Sequence, residues 1–219
     1  PGYWYYLVSA PLFQFFLYRL LWKFILWAIF LYKISKMNLN LYPTNPDMSA
    51  GLRFLGVAQI FFGMIGLAQS CVAAAEVAKW ATMTNSPLSD YYFTIALNIL
   101  ISAFVFFLPM LLFFKKLSSV KLKGLMDYGV LASKYIKLYD DRWVKGLNPD
   151  NEQLLGTGDI QSLADLGNSY QVVENMKMIP MDLNQIVKLI LLIAVPFLPL
   201  ITFVIPLSEI AKILIGFFI

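Results

Sequence analysis

The chain runs to 219 residues, 59% of them hydrophobic and 14% charged, with a mean hydropathy of +0.68, whereas soluble domains are about half apolar and a quarter charged. This composition excludes disordered, collagenous and disulfide-framework proteins and predicts a membrane protein, in which Phe 18, Tyr 12 and Trp 5 find lipid-facing and interfacial places. His 0 and Cys 1 leave no His general base, no Cys/His zinc site and no intramolecular disulfide, so no catalytic residue, metal ligand or cofactor is predicted, and the chain reads as a non-enzyme.

Pro1 is followed by neither a charged n-region nor a cleavage site ahead of the apolar run, which reads as a piece of a longer chain and not as a signal peptide. Four stretches reach the 20 or so apolar residues that cross a bilayer: Pro11 to Tyr32, Phe54 to Val77, Tyr92 to Phe114, and Ile186 to Ile205. The expected fold is all-α, a polytopic membrane helical bundle with about four transmembrane helices and a cytoplasmic helical hairpin. Residues 1–114 hold the first three spans, 115–182 the hairpin, and 183–219 the fourth span and a short interfacial helix.

The first span is interrupted by Arg19 and Lys23. Each costs about 2.5–3.5 kcal/mol at mid-membrane, so this helix is expected to need neighbours or water around them. In the second span Gly66, Ser70 and Ala74 recur every four residues beside Gly63, Cys71 and Ala75. Small residues let backbones approach closely, either within the molecule or in a homo-oligomer, and Cys71 reads as one of these packing residues. Pro196, Pro199 and Pro206 predict a kinked or broken fourth span. Beyond it Ser208 can cap a helix over Glu209 to Ile219, too short to cross.

Orientation follows from the basic residues outside the spans. The segments Lys33 to Arg53 and Lys115 to Lys188 carry 13 of them, and the opposite side only Lys79 and Lys212. The basic side is therefore assigned to the cytoplasm of a multi-pass protein of the bacterial inner membrane. The same asymmetry accounts for the net charge of +4 without a nucleic-acid partner.

Between the third and fourth spans lie two halves of opposite charge, +5 over Lys115 to Asn148 and −5 over Pro149 to Asp182. Tyr128, Leu131, Ala132, Tyr135, Tyr139 and Trp143 form an apolar stripe in the first, and Ile160, Leu163, Ala164, Gly167, Tyr170, Val173 and Met176 a similar pattern in the second. Thr157 or Asp159 is a candidate N-cap, and Gly146, Pro149, Gly156 and Gly158 punctuate the link. An antiparallel hairpin with its stripe internally covered is one reading. The other leaves Tyr135, Tyr139 and Trp143 to dock a cytoplasmic partner or lipid headgroups. The run Leu155-Gly156-Thr157-Gly158-Asp159 lacks the Lys-Ser/Thr pair and the surrounding βαβ pattern of a phosphate loop.

Two further groups are candidate sites. In Tyr42-Pro43-Thr44-Asn45-Pro46-Asp47, Asn45 and Asp47 suit a turn leading into a helix, or a site that coordinates a cation or gates a cytoplasmic vestibule. Inside the membrane, Arg19, Lys23, Gln69 and Asn98 fall at overlapping depths with Glu76 at the outer rim. These five read as mutual neutralisation, as cations that snorkel to an outer crevice, or as an anion-attracting polar cavity.

The stretches Gly2-Tyr3-Trp4-Tyr5-Tyr6-Leu7-Val8-Ser9, Pro43-Thr44-Asn45-Pro46-Asp47 with Gly51-Leu52-Arg53-Phe54-Leu55-Gly56, and Asp159-Ile160-Gln161-Ser162-Leu163-Ala164-Asp165-Leu166-Gly167-Asn168-Ser169-Tyr170 resemble a family of bacterial integral membrane proteins of uncharacterised activity. The resemblance covers essentially the whole chain and is to the family's C-terminal part. It implies further membrane segments ahead of Pro1, a His where this chain has Asn45, and Gly where it has Ala50 and Arg53. Two functions follow from the residues: a channel or transporter using the Arg19/Lys23 cluster and the broken fourth span, or a non-transporting scaffold or signalling subunit docked through the insert.

Overall fold

The computed structural model describes residues 2–84, 86–146 and 158–203. The chain is an all-α bundle, and among the described residues no strand occurs. Four helical stretches are long and apolar enough to cross a membrane: Gly2–Lys36, Phe54–Thr84, Leu88–Val144 and Leu183–Thr202. Pro206, Thr157 and the tail helix expected over Glu209 to Ile219 fall outside the described residues.

The first three stretches exceed their expected bounds, and the fourth starts three residues earlier, at Leu183. Helix α1 (Gly2–Lys36) starts nine residues before Pro11. It absorbs that proline by a π-turn over Tyr5–Ser9, in which the Ala10 N–H donates to the Tyr5 carbonyl. This wider turn passes the ring where an α-turn would need the missing N–H. Helix α2 (Phe54–Thr84) follows. Helix α3 (Tyr92–Phe107) tightens at Pro109 into a 3₁₀ segment, Leu108–Phe113, and then continues as α4 (Phe114–Tyr139), so the expected end at Phe114 is no end at all. Helix α5 covers Asp159–Glu174 and α6 covers Leu183–Ala194. The expected break in the fourth span is present, since α6 gives way to 3₁₀ geometry over Val195–Phe203 with Pro199 inside it.

The chain divides into two compact units. The membrane unit takes in the described parts of 1–33, 57–109 and 183–219. Its α2 carries the small-residue stripe inward: a Cβ on Gly66 would lie 2.9 Å from the Phe106 ring and 3.0 Å from Ile193. Ser70 and Ala74 on the same face are buried, and Phe106, Leu189 and Ile193 form a core there with Ile65. The stripe thus makes intramolecular contacts. Cys71 departs from the expectation, since it is exposed; one residue past Ser70 is a turn of about 100°, enough to leave the packed face.

The second unit comprises 34–56 with 110–182, so the expected insert boundary at 115 misses a participant. The 42–53 loop is part of this fold. Pro43 packs so closely on α4 that a Cβ on Gly124 would sit 2.7 Å from it, and Val173 of α5 approaches the same glycine. The Lys177 N–H donates to the Met48 carbonyl at 2.8 Å, and the buried Asp182 carboxylate pairs with both Arg53 and Lys177. Helices α4 and α5 run antiparallel, with Val173 beside Gly124, Tyr170 beside Gly129, and Asp159 beside Tyr135.

Candidate functional site

The five intramembrane polar residues do not meet at one point. Phe24 packs on Phe62 at 5.9 Å between ring centroids, and Trp27 Nε1 donates to Gln59 Oε1 at 2.7 Å. With the helices antiparallel, this register sets Arg19 level with Leu67 and Glu76 level with Ala10, about 13 Å nearer the Gly2 end of α1. Arg19 and Gln69 thus stand at nearly the same level along the two helices, but the faces differ. The half-buried flank of α1 is Leu17, Phe24, Trp27, Ala28 and Leu31, whereas Arg19 and Lys23 lie on the exposed flank with Trp22, Leu26 and Phe30. Only 6% of α1's apolar window is buried. Among the described residues no hydrogen bond or ion pair holds either cation.

Gln69 instead accepts a hydrogen bond from the Ser102 hydroxyl at 2.7 Å, clasping α2 to α3. It borders an apolar groove of about 410 Å³ whose other walls include Phe13, Phe16, Leu17 and Leu20 of α1. Glu76 and Asn98 do share a cavity, of about 290 Å³, with Trp80, Tyr91, Thr94 and Phe197 on its walls. Asn98 Oδ1 is buried there without a hydrogen-bond partner. Glu76 pairs with Lys79 at 3.7 Å on its own helix, and the Lys79 ammonium also lies 6.0 Å from the Trp80 ring centroid.

The polar centre of the membrane unit is a residue the sequence reading passed over. Gln59 is fully buried, accepts from Trp27, and donates through Nε2 to the Phe106 carbonyl at 2.5 Å. That carbonyl lies three residues before Pro109, which offers no N–H to the tightened turn. An amide can both donate and accept, so Gln59 satisfies two groups that hydrocarbon would leave unpaired. An amide within an apolar helix, as Gln69 also is, was the available signal.

In the second unit, Asn45 and Asp47 are turn-formers. Asp47 Oδ1 accepts the N–H groups of Ser49 at 2.8 Å and Gly51 at 2.9 Å, its Oδ2 accepts that of Arg53 at 3.1 Å, and Asn45 Oδ1 accepts that of Asp47 at 3.1 Å. The oxygens a cation would need are thus committed to backbone, just ahead of α2. The loop holds Met48 at φ 54° and Ala50 at φ 53°, in the left-handed region that favours glycine. Among the described residues no cluster of three His, Cys, Asp or Glu side chains is placed to hold a metal.

The aromatic stripe of α4 is engaged within the hairpin. Tyr135, Tyr139 and Trp143 are half-buried. The Tyr135 hydroxyl donates to the Asp159 carbonyl at 3.0 Å, Trp143 Nε1 donates to Asp159 Oδ2 at 2.8 Å, and Arg142 pairs with that same oxygen at 3.4 Å while stacking on Trp143. Asp159, expected as an N-cap, lies inside the first turn of α5, and Gly158 takes the cap position. Its carboxylate serves the partner helix in place of its own N-terminus.

Fold and polar placement define an all-α membrane bundle with a helical second unit. Comparison with protein-family models, with curated proteins and with solved structures finds no match.

Proposed function

We propose that the chain is a non-catalytic subunit of a membrane assembly in the bacterial inner membrane, with its second unit in the cytoplasm. In this reading the Arg19/Lys23 flank of α1 seats another membrane helix that carries a carboxylate at the same depth. The observation that carries the proposal is the bare flank: two cations near mid-height on a helix whose apolar window is 6% buried. In hydrocarbon each costs about 2.5–3.5 kcal/mol unless paired. A second copy of this chain is a poor source of the counter-charge, since Glu76 lies about 13 Å nearer the Gly2 end of α1 than Arg19 does. Membership of the bacterial family resembled in sequence fits this reading, because further membrane segments are implied there. The hairpin is a weaker docking surface, as Tyr135 and Trp143 spend their polar groups on Asp159.

Changing Arg19→Leu together with Lys23→Leu tests the proposal. The lone chain should become more stable in micelles, because two uncompensated charges leave the apolar flank, while the assembly extracted from native membranes should lose its partner. Equal partner recovery from wild type and double variant would overturn it.

A channel or transporter is the second reading, favoured by the Glu76/Asn98 cavity beside the 3₁₀ segment of the fourth span. Ion or solute flux in proteoliposomes that falls on Glu76→Gln would move the weight to it.

A further inference from the structure

The cavity around Glu76 has a composition that selects its ligand. The side chains of Glu76, Asn98 and Thr94 line it together with the rings of Trp80, Tyr91 and Phe197, around about 290 Å³, at the lower bound of small-molecule sites. Four oxygen-bearing side chains, Glu76, Tyr91, Thr94 and Asn98, are too few for a hard metal ion, which asks for six or more oxygens. The carboxylate disfavours an anion. Aromatic faces beside a carboxylate instead suit an alkylated or primary ammonium ion, attracted by ring quadrupoles and a single negative charge. Asn98 Oδ1, buried and without a partner, supplies an acceptor for the ligand's N–H or hydroxyl.

The molecule carries its own example of that recognition. Lys79 brings an ammonium to 3.7 Å from Glu76 Oε2 and 6.0 Å from the Trp80 centroid. Both side chains of the ion pair are more than half exposed, so the contact is weak and readily exchanged. Lys79 thus engages two residues of the cavity wall, Glu76 and Trp80, that a ligand would also use. Tyr91 is fixed at the same end by a 3.2 Å hydrogen bond to Thr84.

We propose that this cavity binds a small organic ammonium ion, held by Glu76 and the aromatic walls, with Lys79 displaced on binding. The site goes beyond the assembly reading and stands whether or not α1 has a partner. The ammonium group can come from a free amine or from a phosphatidylethanolamine headgroup.

Equilibrium dialysis of radiolabelled choline against the full-length protein in phosphatidylglycerol nanodiscs tests this. Saturable binding is expected, about tenfold weaker in Glu76→Gln and about threefold tighter in Lys79→Met, where the competing ammonium is gone. The neutral isostere 3,3-dimethylbutanol should not compete. Phosphatidylethanolamine added to the discs separates the sources: competition assigns the headgroup, and unchanged choline binding assigns a free amine. Binding that ignores Glu76→Gln, tightening that fails in Lys79→Met, or equal competition by the isostere would each overturn the proposal.

Discussion

Replacing Gln59 by Leu probes the centre of the membrane unit. Leucine keeps most of the side-chain volume, so little cavity forms, but the Trp27 indole N–H and the Phe106 carbonyl both lose their partner. A buried polar group left unpaired costs about 1–3 kcal/mol. Interhelical hydrogen bonds in membranes average about 0.6 and reach nearly 2 kcal/mol, because the unfolded chain also finds partners. Trp27 is only half-buried and recovers part of its loss, whereas Phe106 is buried beside a proline turn and recovers little. The expected net loss is about 2 kcal/mol. It is measured by titrating mixed micelles with dodecyl sulfate and following helicity by circular dichroism. Trp27→Phe alone and combined with Gln59→Leu completes a cycle, in which a coupling of about 1 kcal/mol is expected. A loss under about 0.5 kcal/mol, or strictly additive variants, would refute the assignment of Gln59 as the amide that joins these helices.

Two further outcomes follow from the second unit. Ala50→Gly should stabilise it by about 0.5–1 kcal/mol, since alanine at φ 53° bears a left-handed penalty that glycine escapes; a lower thermal midpoint for the variant would contradict this. Asp159→Ala should unpair the Trp143 indole, red-shift its fluorescence and loosen α5 toward proteolysis, at about 1–2 kcal/mol. Asp159→Asn keeps an oxygen acceptor and should restore most of that stability.

Much of the fold was legible because bilayer thickness sets a length that composition reveals. Four apolar stretches correspond to four helices long and apolar enough to span, and the fourth changes geometry over the segment that holds Pro196 and Pro199. The boundaries were less legible. Pro11 and Pro109 looked like stops or went unweighed, yet a π-turn and a 3₁₀ turn carry the helices past them. Faces were harder still. Arg19 and Gln69 stand at nearly the same level along their helices, but a shared level says nothing about angle around the helix, and α1 turns its cations away from α2. Asp47 was readable as a turn residue from its neighbours alone. The role of Asp182, which ties Arg53 and Lys177 across more than a hundred residues of chain, has no local signature.

The Arg19/Lys23 flank of α1 is proposed to face another protein helix. A photo-crosslinking amino acid at Trp22, between the two cations, tests it in native membranes, with the same probe at Phe93, an exposed residue of α3, as control. The account predicts a discrete polypeptide adduct at Trp22, lost when Arg19 and Lys23 are leucine and lost also when the partner's membrane carboxylate is made an amide. Adducts to lipid alone at Trp22, matching those at Phe93, would contradict it.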